Sequence, residues 1–304
     1  MTLANQVNLS LLNEIVQSKF QVPQGYSTDQ LTPGLMKNLG SSDSDLRENS
    51  LDVLGQWIEE PKYTDAQILD IAQQMAKNLS VGLGESCSDS VFIRAFSALI
   101  LESIIIVDRL RIANNGSPLL SRSHIHIWLH LAIELLRDEK DERGYVEQKG
   151  WAHCLAHTGD LLAEFSLHPA LERKDLELIL HTIAQKLIAP VEQVMVHNED
   201  ERLAAVVIAV LQRELVPFRF FEEWLASFVS LPGGMNWMDT LTLPTWNISR
   251  LNSKMFLRSL YFFFVFGFKN DPPYPPVALQ KQLQPLVLKT LKQIYPKSRY
   301  GDGI

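Results

Sequence analysis

Cysteine is almost missing from this chain: Cys87 and Cys154 are the only two in 304 residues. Neither sits in a Cys-x-x-Cys pair, so neither a disulfide framework nor a thiolate zinc site is expected. Both fit a reducing compartment. The start, Met-Thr-Leu-Ala-Asn-Gln-Val, lacks the cationic stretch and apolar run of a secretory signal. Apolar runs of the ~20 residues that a membrane span requires are lacking too. The longest are Leu99 to Val107, interrupted by Glu102, and Ser259 to Phe268, preceded by Arg258. A cytoplasmic protein with no membrane partner is therefore expected. Positive charge is in deficit, with 28 Lys and Arg against 35 Asp and Glu and a net charge of −7. Without a basic stripe to displace counterions from phosphates, nucleic acid is not an expected partner. Also absent are a Gly-rich phosphate loop, His-Glu-x-x-His and Gly-x-Ser-x-Gly. The repeated His-Glu dipeptides of HEAT-like diiron hydroxylases do not occur either. No stretch alternates apolar and polar residues as a half-buried strand would.

Apolar residues at helical spacing are plentiful. The chain is 46% hydrophobic and 21% charged, enough to bury a large core. The periodicity predicts helices at about 7–20, 28–38, 43–59, 64–79, 88–109, 122–139, 147–167, 174–189, 199–214, 218–230, 248–267 and 276–295. The helix at 88–109 is apolar almost all round, with Phe92, Phe96, Leu99, Leu101, Ile104, Ile105 and Ile106, so it must be covered on several sides. Asn115-Gly-Ser-Pro118 and Asp271-Pro-Pro-Tyr-Pro-Pro276 are breakers. Asn198 followed by Glu201 reads as a capping box. Leu231 to Trp246 is the longest loop, expected to be tucked down by its tryptophans.

The helices pair, and the pairs resemble one another. Met36-Lys-Asn-Leu39 leads to Ser42-Asp-Ser44 and Arg47. Met75-Ala-Lys-Asn-Leu79 leads to Ser88-Asp-Ser90 and Arg94. A period of about 40–50 residues made of two antiparallel helices is the mark of HEAT and armadillo arrays. The expectation is an all-α fold, a HEAT/armadillo-like α-solenoid of stacked antiparallel helix pairs. It would form a single domain over 1–304, with a C-terminal helical extension at about 226–304.

Several segments resemble a bacterial family known as domain of unknown function 2785. They are Leu31-Thr-Pro-Gly-Leu-Met-Lys-Asn-Leu-Gly-Ser41, Asp89-Ser-Val-Phe-Ile-Arg94, Arg143-Gly-Tyr145 with Lys149-Gly-Trp-Ala-His153, Ala156-His157 with Asp160, and Glu199-Asp-Glu-Arg-Leu203. The resemblance covers about 20–225 and implies an all-helical, HEAT-like fold. It implies no activity.

Candidate chemistry concentrates between Arg143 and Glu164. On a helix over 147–167, Trp151, Leu155, Thr158, Leu162 and Phe165 share one face and His153, His157, Asp160 and Glu164 the opposite one. Histidines at i and i+4 can reach one ion, and Asp160 can complete a three-ligand face with open positions. His153, His157 and Asp160 are thus the candidate divalent-metal ligands. No other cofactor is expected. A second pair, His126 and His130, is expected to be surface or packing residues. Arg47, Arg94, Lys149 with His153, and Arg202 all fall near helix starts, with Asp43, Asp89, Glu147 and Asp200 nearby. They form either a ladder of ion pairs between repeats or an anion site. Arg94 stands out, because burying it unpaired would cost several kcal/mol. The sequence thus points to a binding or scaffolding module. Its polar concave site of Arg94, Lys149, His153, His157, Asp160 and Arg202 would take a protein segment or small ligand. The rival is a metal-assisted hydrolase using the His/His/Asp stripe.

Overall fold

The structure is a computed structural model that describes residues 7–268 and 278–294. The proline-rich breaker at 271–276 and the first six residues, read above for a signal, lie outside the described residues. The chain is all-α: twelve α-helices and one two-stranded hairpin over the described residues. It divides into two compact units, Met1–Ala170 and Leu171–Ile304.

The first unit contains α1 (Leu9–Gln17), α2 (Thr28–Asn38), α3 (Ser44–Glu59), α4 (Asp65–Asn78), α5 (Ser90–Ala113), α6 (Arg122–Asp138), β1 (Tyr145–Val146), β2 (Gly150–Trp151) and α7 (Cys154–Leu167). Five of these helices, α1 to α4 and α6, start at side chains that satisfy orphan backbone N–H groups. Ser27 with Gln30 and Thr64 with Gln67 form capping boxes, and Asn8, Asp43 and Ser121 cap α1, α3 and α6. Consecutive helices pack as α2 with α3, α4 with α5 and α6 with α7. The second member of each pair also packs on the next: α3 on α5, and α5 on α7.

This order explains the composition of α5. With α3, α4 and α7 against it, Phe92, Phe96, Leu101, Ile104 and Ile105 are buried in different directions. By length and composition alone, α5 is the one helix among the described residues apolar enough to cross a membrane, and most of it is buried inside its unit. It runs four residues past the expected end, to Ala113. Behind its C-terminal half, the buried carboxylate of Asp108 accepts the Leu119 N–H at 2.6 Å and lies 3.0 Å from His168 Nε2. His168 Nδ1 accepts the Ala170 N–H, which leaves the Nε2 proton to bond Asp108. Both imidazole nitrogens are thus taken up in structure.

The second unit contains α8 (Arg173–Ile188), α9 (Glu199–Gln212), α10 (Phe218–Ser227), α11 (Pro244–Phe266) and α12 (Ala278–Ile294). Helix α11 packs on α8, α9 and α12, while α10 lies against α8 and α12. Trp224, Phe228 and Phe256 form its aromatic centre, with Phe228 and Phe256 stacked 5.7 Å apart. The long loop is held by buried Trp237, whose Nε1 donates to the Phe228 carbonyl at 2.7 Å. Half-buried Trp246 already belongs to α11, which begins at Pro244 and not at 248. Proline suits a first helical turn, where its missing N–H has no partner to lose.

Candidate functional site

The largest departure from the periodicity falls in its most distinctive segment. The expected helix over 147–167 begins only at Cys154, and residues 145–151 form an antiparallel hairpin. Tyr145 pairs with Trp151, and Val146 with Gly150. Lys149 donates its N–H to the Val146 carbonyl at 3.0 Å, closing a tight turn, and Gln148 adopts a left-handed φ of 64°. Ala152 and His153 extend the pairing to the Gly144 and Arg143 carbonyls. Tyr, Val and Trp favour a pleated, half-buried surface. Gly150 decides the position: its φ is 78°, and a Cβ there would lie 2.9 Å from Ser44 Cβ on α3. Only glycine lets the hairpin lie this close to the helix.

Three cations fasten the hairpin and its approach. The first is Arg47, fully buried at the start of α3. Its NH2 donates to the carbonyls of Lys149 at 2.7 Å and Trp151 at 3.1 Å, and its NH1 to that of Ser41 at 2.7 Å. The guanidinium lies over the rings of Phe92 and Phe96, 4.2 and 4.7 Å from their centroids. Its closest carboxylate in an ion pair, Glu48, is 3.8 Å away, and burial lowers the Arg47 pKa. The second is Arg143, which grips Asp141 at 2.7 and 2.6 Å and donates to the Ser88 carbonyl at 3.1 Å. Third, Lys149 Nζ lies 2.7 Å from both Asp89 oxygens at the surface.

Arg94 belongs to the same framework. It is fully buried, and two of its nitrogens donate to Glu139 at 2.6 and 2.9 Å. NH1 donates to the Val81 carbonyl and to Ser90 Oγ at 2.7 and 2.8 Å. Burial opposes its charge, but the Glu139 hydrogen bonds and charge outweigh this and raise the pKa. Glu139 also accepts from the buried Cys154 thiol at 3.3 Å. Burial, then the Glu139 charge, push that thiol far up. The partner that Arg94 requires is thus Glu139.

The expected polar stripe is only partly a helical face. His153 precedes α7 as its N-cap, in the left-handed region at φ 55°, and makes no capping bond with its side chain. Its ring stacks on Trp151, 4.9 Å away at 26°, and meets His157 edge-on at 5.4 Å. His157 in turn meets Phe96 edge-on at 5.9 Å. Its buried Nδ1 has no hydrogen-bond partner among the described residues, with Asp160 Oδ2 3.7 Å away. Glu164 is taken by Arg109, at 3.0 Å from its Nε. Among the described residues, no three His, Cys, Asp or Glu side chains are grouped so as to hold a metal ion.

Of the other candidates, Lys149 stands on the hairpin and not on a helix, and Arg202 lies on α9 in the second unit. Asp43 caps α3, while Asp200 is buried and accepts from Ser259 Oγ at 2.6 Å. His126 lies 2.8 Å from the Arg122 carbonyl through Nδ1, and His130 is exposed.

Tyr145 and Trp151 were not expected in a site. Tyr145 is 55% and Trp151 39% exposed, and their rings meet edge-on 5.2 Å apart. With His153 and His157 they form a continuous ring-to-ring strip from solvent inward to Phe96. The signal available in the sequence was the pair Gly144 and Gly150 flanking Tyr145-Val146 and preceding Trp151. Chemically, the strip offers planar apolar faces, two imidazoles, and the Lys149–Asp89 ion pair beside them.

A family model described as protein of unknown function (DUF2785) matches residues 79–262. No curated protein and no solved structure matches the chain. The matched span leaves out Leu31–Ser41, one of the segments that carried the resemblance, and extends through most of α11. It takes in more than half of the chain, which belongs to this family.

Proposed function

From membership of a family to which no activity is assigned, we propose that the chain is a binding module. Its recognition surface is the 145–151 hairpin together with His153 and His157. The observation that carries this reading is Arg47. A fully buried arginine gives two of its hydrogen bonds, both from NH2, to the hairpin backbone, while the hairpin's two large aromatics are solvent-exposed. Exposed tyrosine and tryptophan on a rigid backbone provide large contact area at little entropic cost. The conformation of His153 agrees. At the N-cap of α9, the same left-handed geometry is filled by Asn198, which tolerates it. His153 holds that geometry without a side-chain capping bond, and its ring instead stacks on Trp151.

The ligand we envisage is a protein segment that lays an apolar or planar side chain against Tyr145, Trp151 and His153. The packing order of α2 to α7 supports a HEAT-like solenoid for the first unit, with the hairpin as an insertion between the two helices of its third pair. The net charge of −7 favours a protein over a nucleic-acid partner. A metal-assisted hydrolase has less behind it, because the helix that was to present His153, His157 and Asp160 begins one residue after His153.

The test is a peptide-display selection on the full chain. Peptides enriched by the wild type should quench tryptophan fluorescence saturably. They should bind a Tyr145→Ala/Trp151→Ala variant at least about tenfold more weakly, the loss of one good anchor. Circular dichroism of that variant should match the wild type. Peptides that bind both proteins equally, or no enrichment at all, would sink the proposal.

A further inference from the structure

Helix α11 has an outward face that its packing does not use. The inner side is settled: Asn252, Ser253, Phe256, Leu257 and Leu260 are buried, and the helix packs on α8, α9 and α12. At about 100° per residue, Arg250, Lys254, Arg258, Phe262, Val265 and Phe266 fall on the opposite side. The cations come first along the axis, and the apolar residues fill the last turns. Phe266 is 79% and Phe262 52% exposed, and their rings stack 5.9 Å apart at 18°. Val265 is exposed between them. Large apolar side chains left together in water at one end of a helix mark an interaction surface.

The charge on this face has one sign. Helix α11 holds no Asp or Glu in 23 residues, in a chain that has 35 of them. Arg250, Lys254 and Arg258 each make interactions of their own, such as Arg250 NH2 with Asn247 Oδ1 at 2.9 Å. What counts is the field they share. Burial lowers the Lys254 pKa, and the like charges of Arg258 and Arg250 lower it further. Lys254 thus sits in a positive local field, although the chain as a whole is acidic.

We propose that this face of α11 rests on the surface of an anionic lipid bilayer. Phe262, Val265 and Phe266 enter the boundary between headgroups and acyl chains, and Arg250, Lys254 and Arg258 lie among the anionic headgroups. The expectation of no membrane partner came from the lack of a spanning run, and a helix that lies on the bilayer needs none. Helix α11 is not apolar enough to cross, and its inner side is already buried in protein. A second copy of the chain fits the face less well, because two such faces brought together set cations against cations.

Cosedimentation of the full chain with vesicles is the test. Phosphatidylcholine vesicles with about one-third phosphatidylglycerol should bind the wild type at least about tenfold more tightly than phosphatidylcholine alone, and raised salt should shrink the difference. Phe262→Ser/Phe266→Ser should weaken binding to the anionic vesicles at least about tenfold. Its circular dichroism should match the wild type, because both rings are exposed in the fold. Lys254→Gln/Arg258→Gln should lose most of the preference for anionic vesicles. Phe266→Trp should add a fluorescence signal that brominated acyl chains quench, which adsorption by charge alone would not give. Tyr145→Ala/Trp151→Ala should bind vesicles like the wild type, which separates this face from the hairpin. No preference of the wild type for anionic vesicles, unchanged binding by Phe262→Ser/Phe266→Ser, or no quenching in Phe266→Trp would overturn the assignment. So would a wild-type dimer in sedimentation velocity that Phe262→Ser/Phe266→Ser dissolves, which would give the face to a second copy.

Discussion

His153 carries the clearest tension between stability and use. A left-handed φ of 55° on a residue with a Cβ costs about 1–2 kcal/mol, and no capping bond offsets it. His153→Gly is expected to raise the midpoint of thermal unfolding by relieving that strain. The same change removes the ring stacked on Trp151 and should weaken selected peptides. A variant that is both less stable and fully binding would contradict this account. The two cysteines also differ at this scale. Cys87 is exposed, whereas Cys154 is buried with its pKa raised by burial and the Glu139 charge. The thiolate is the reactive form, so a raised pKa keeps Cys154 protonated as pH climbs through the range where an ordinary thiol ionises. A thiol reagent should label one site per native chain between pH 7 and about 9, and two after denaturation. A second site appearing with rising pH in the folded protein would contradict the buried environment.

At the scale of elements, the hairpin shows what local periodicity could not convey. Trp151, Leu155, Thr158, Leu162 and Phe165 have helical spacing, and from Leu155 onward that spacing describes α7. It breaks at Gly150, and the cause lies far along the chain. Arg47, more than a hundred positions earlier, holds the Lys149 and Trp151 carbonyls, and Ser44 Cβ leaves no room for a side chain at position 150. Such long-range contacts leave no trace in a window of neighbouring residues. The requirement that Arg94 be paired was legible, because a buried guanidinium without a partner is untenable. That the partner is Glu139, beyond the end of α6, was not, since nothing local links the two. Gly150→Ala tests the hairpin directly. It forces a Cβ into both a positive φ and the α3 contact, so a loss of at least about 1 kcal/mol in urea denaturation is expected. Amides from Lys149 to His153 should exchange faster with deuterium in that variant. No change in either measurement would show that the α3 contact is unimportant.

For the whole molecule, stability is a small difference between large terms, commonly about 5–15 kcal/mol. The first unit commits a noticeable part of that to one buried ion pair. Glu139→Ala strands the Arg94 guanidinium in the interior and should cost about 3–5 kcal/mol in chemical denaturation. Replacing both partners with apolar residues, as in Arg94→Met/Glu139→Leu, should cost much less, because no uncompensated charge is left. Equal losses in the two variants would show that packing and not charge dominates there. The all-α class and nearly every helix followed from composition and spacing, because an amphipathic stripe is a local property. The hairpin surface emerged only once distant residues were brought together.

The anchoring of the hairpin by Arg47 bears on how this surface can change. The arginine grips main-chain oxygens, which every amino acid supplies, and leaves the outward side chains at Tyr145, Glu147 and Trp151 out of the frame. Such a display is permissive in its lettering and strict in its spine. The outward positions can be rewritten, by evolution or by a library of variants, with the scaffold undisturbed, provided that Gly150 and Arg47 are kept.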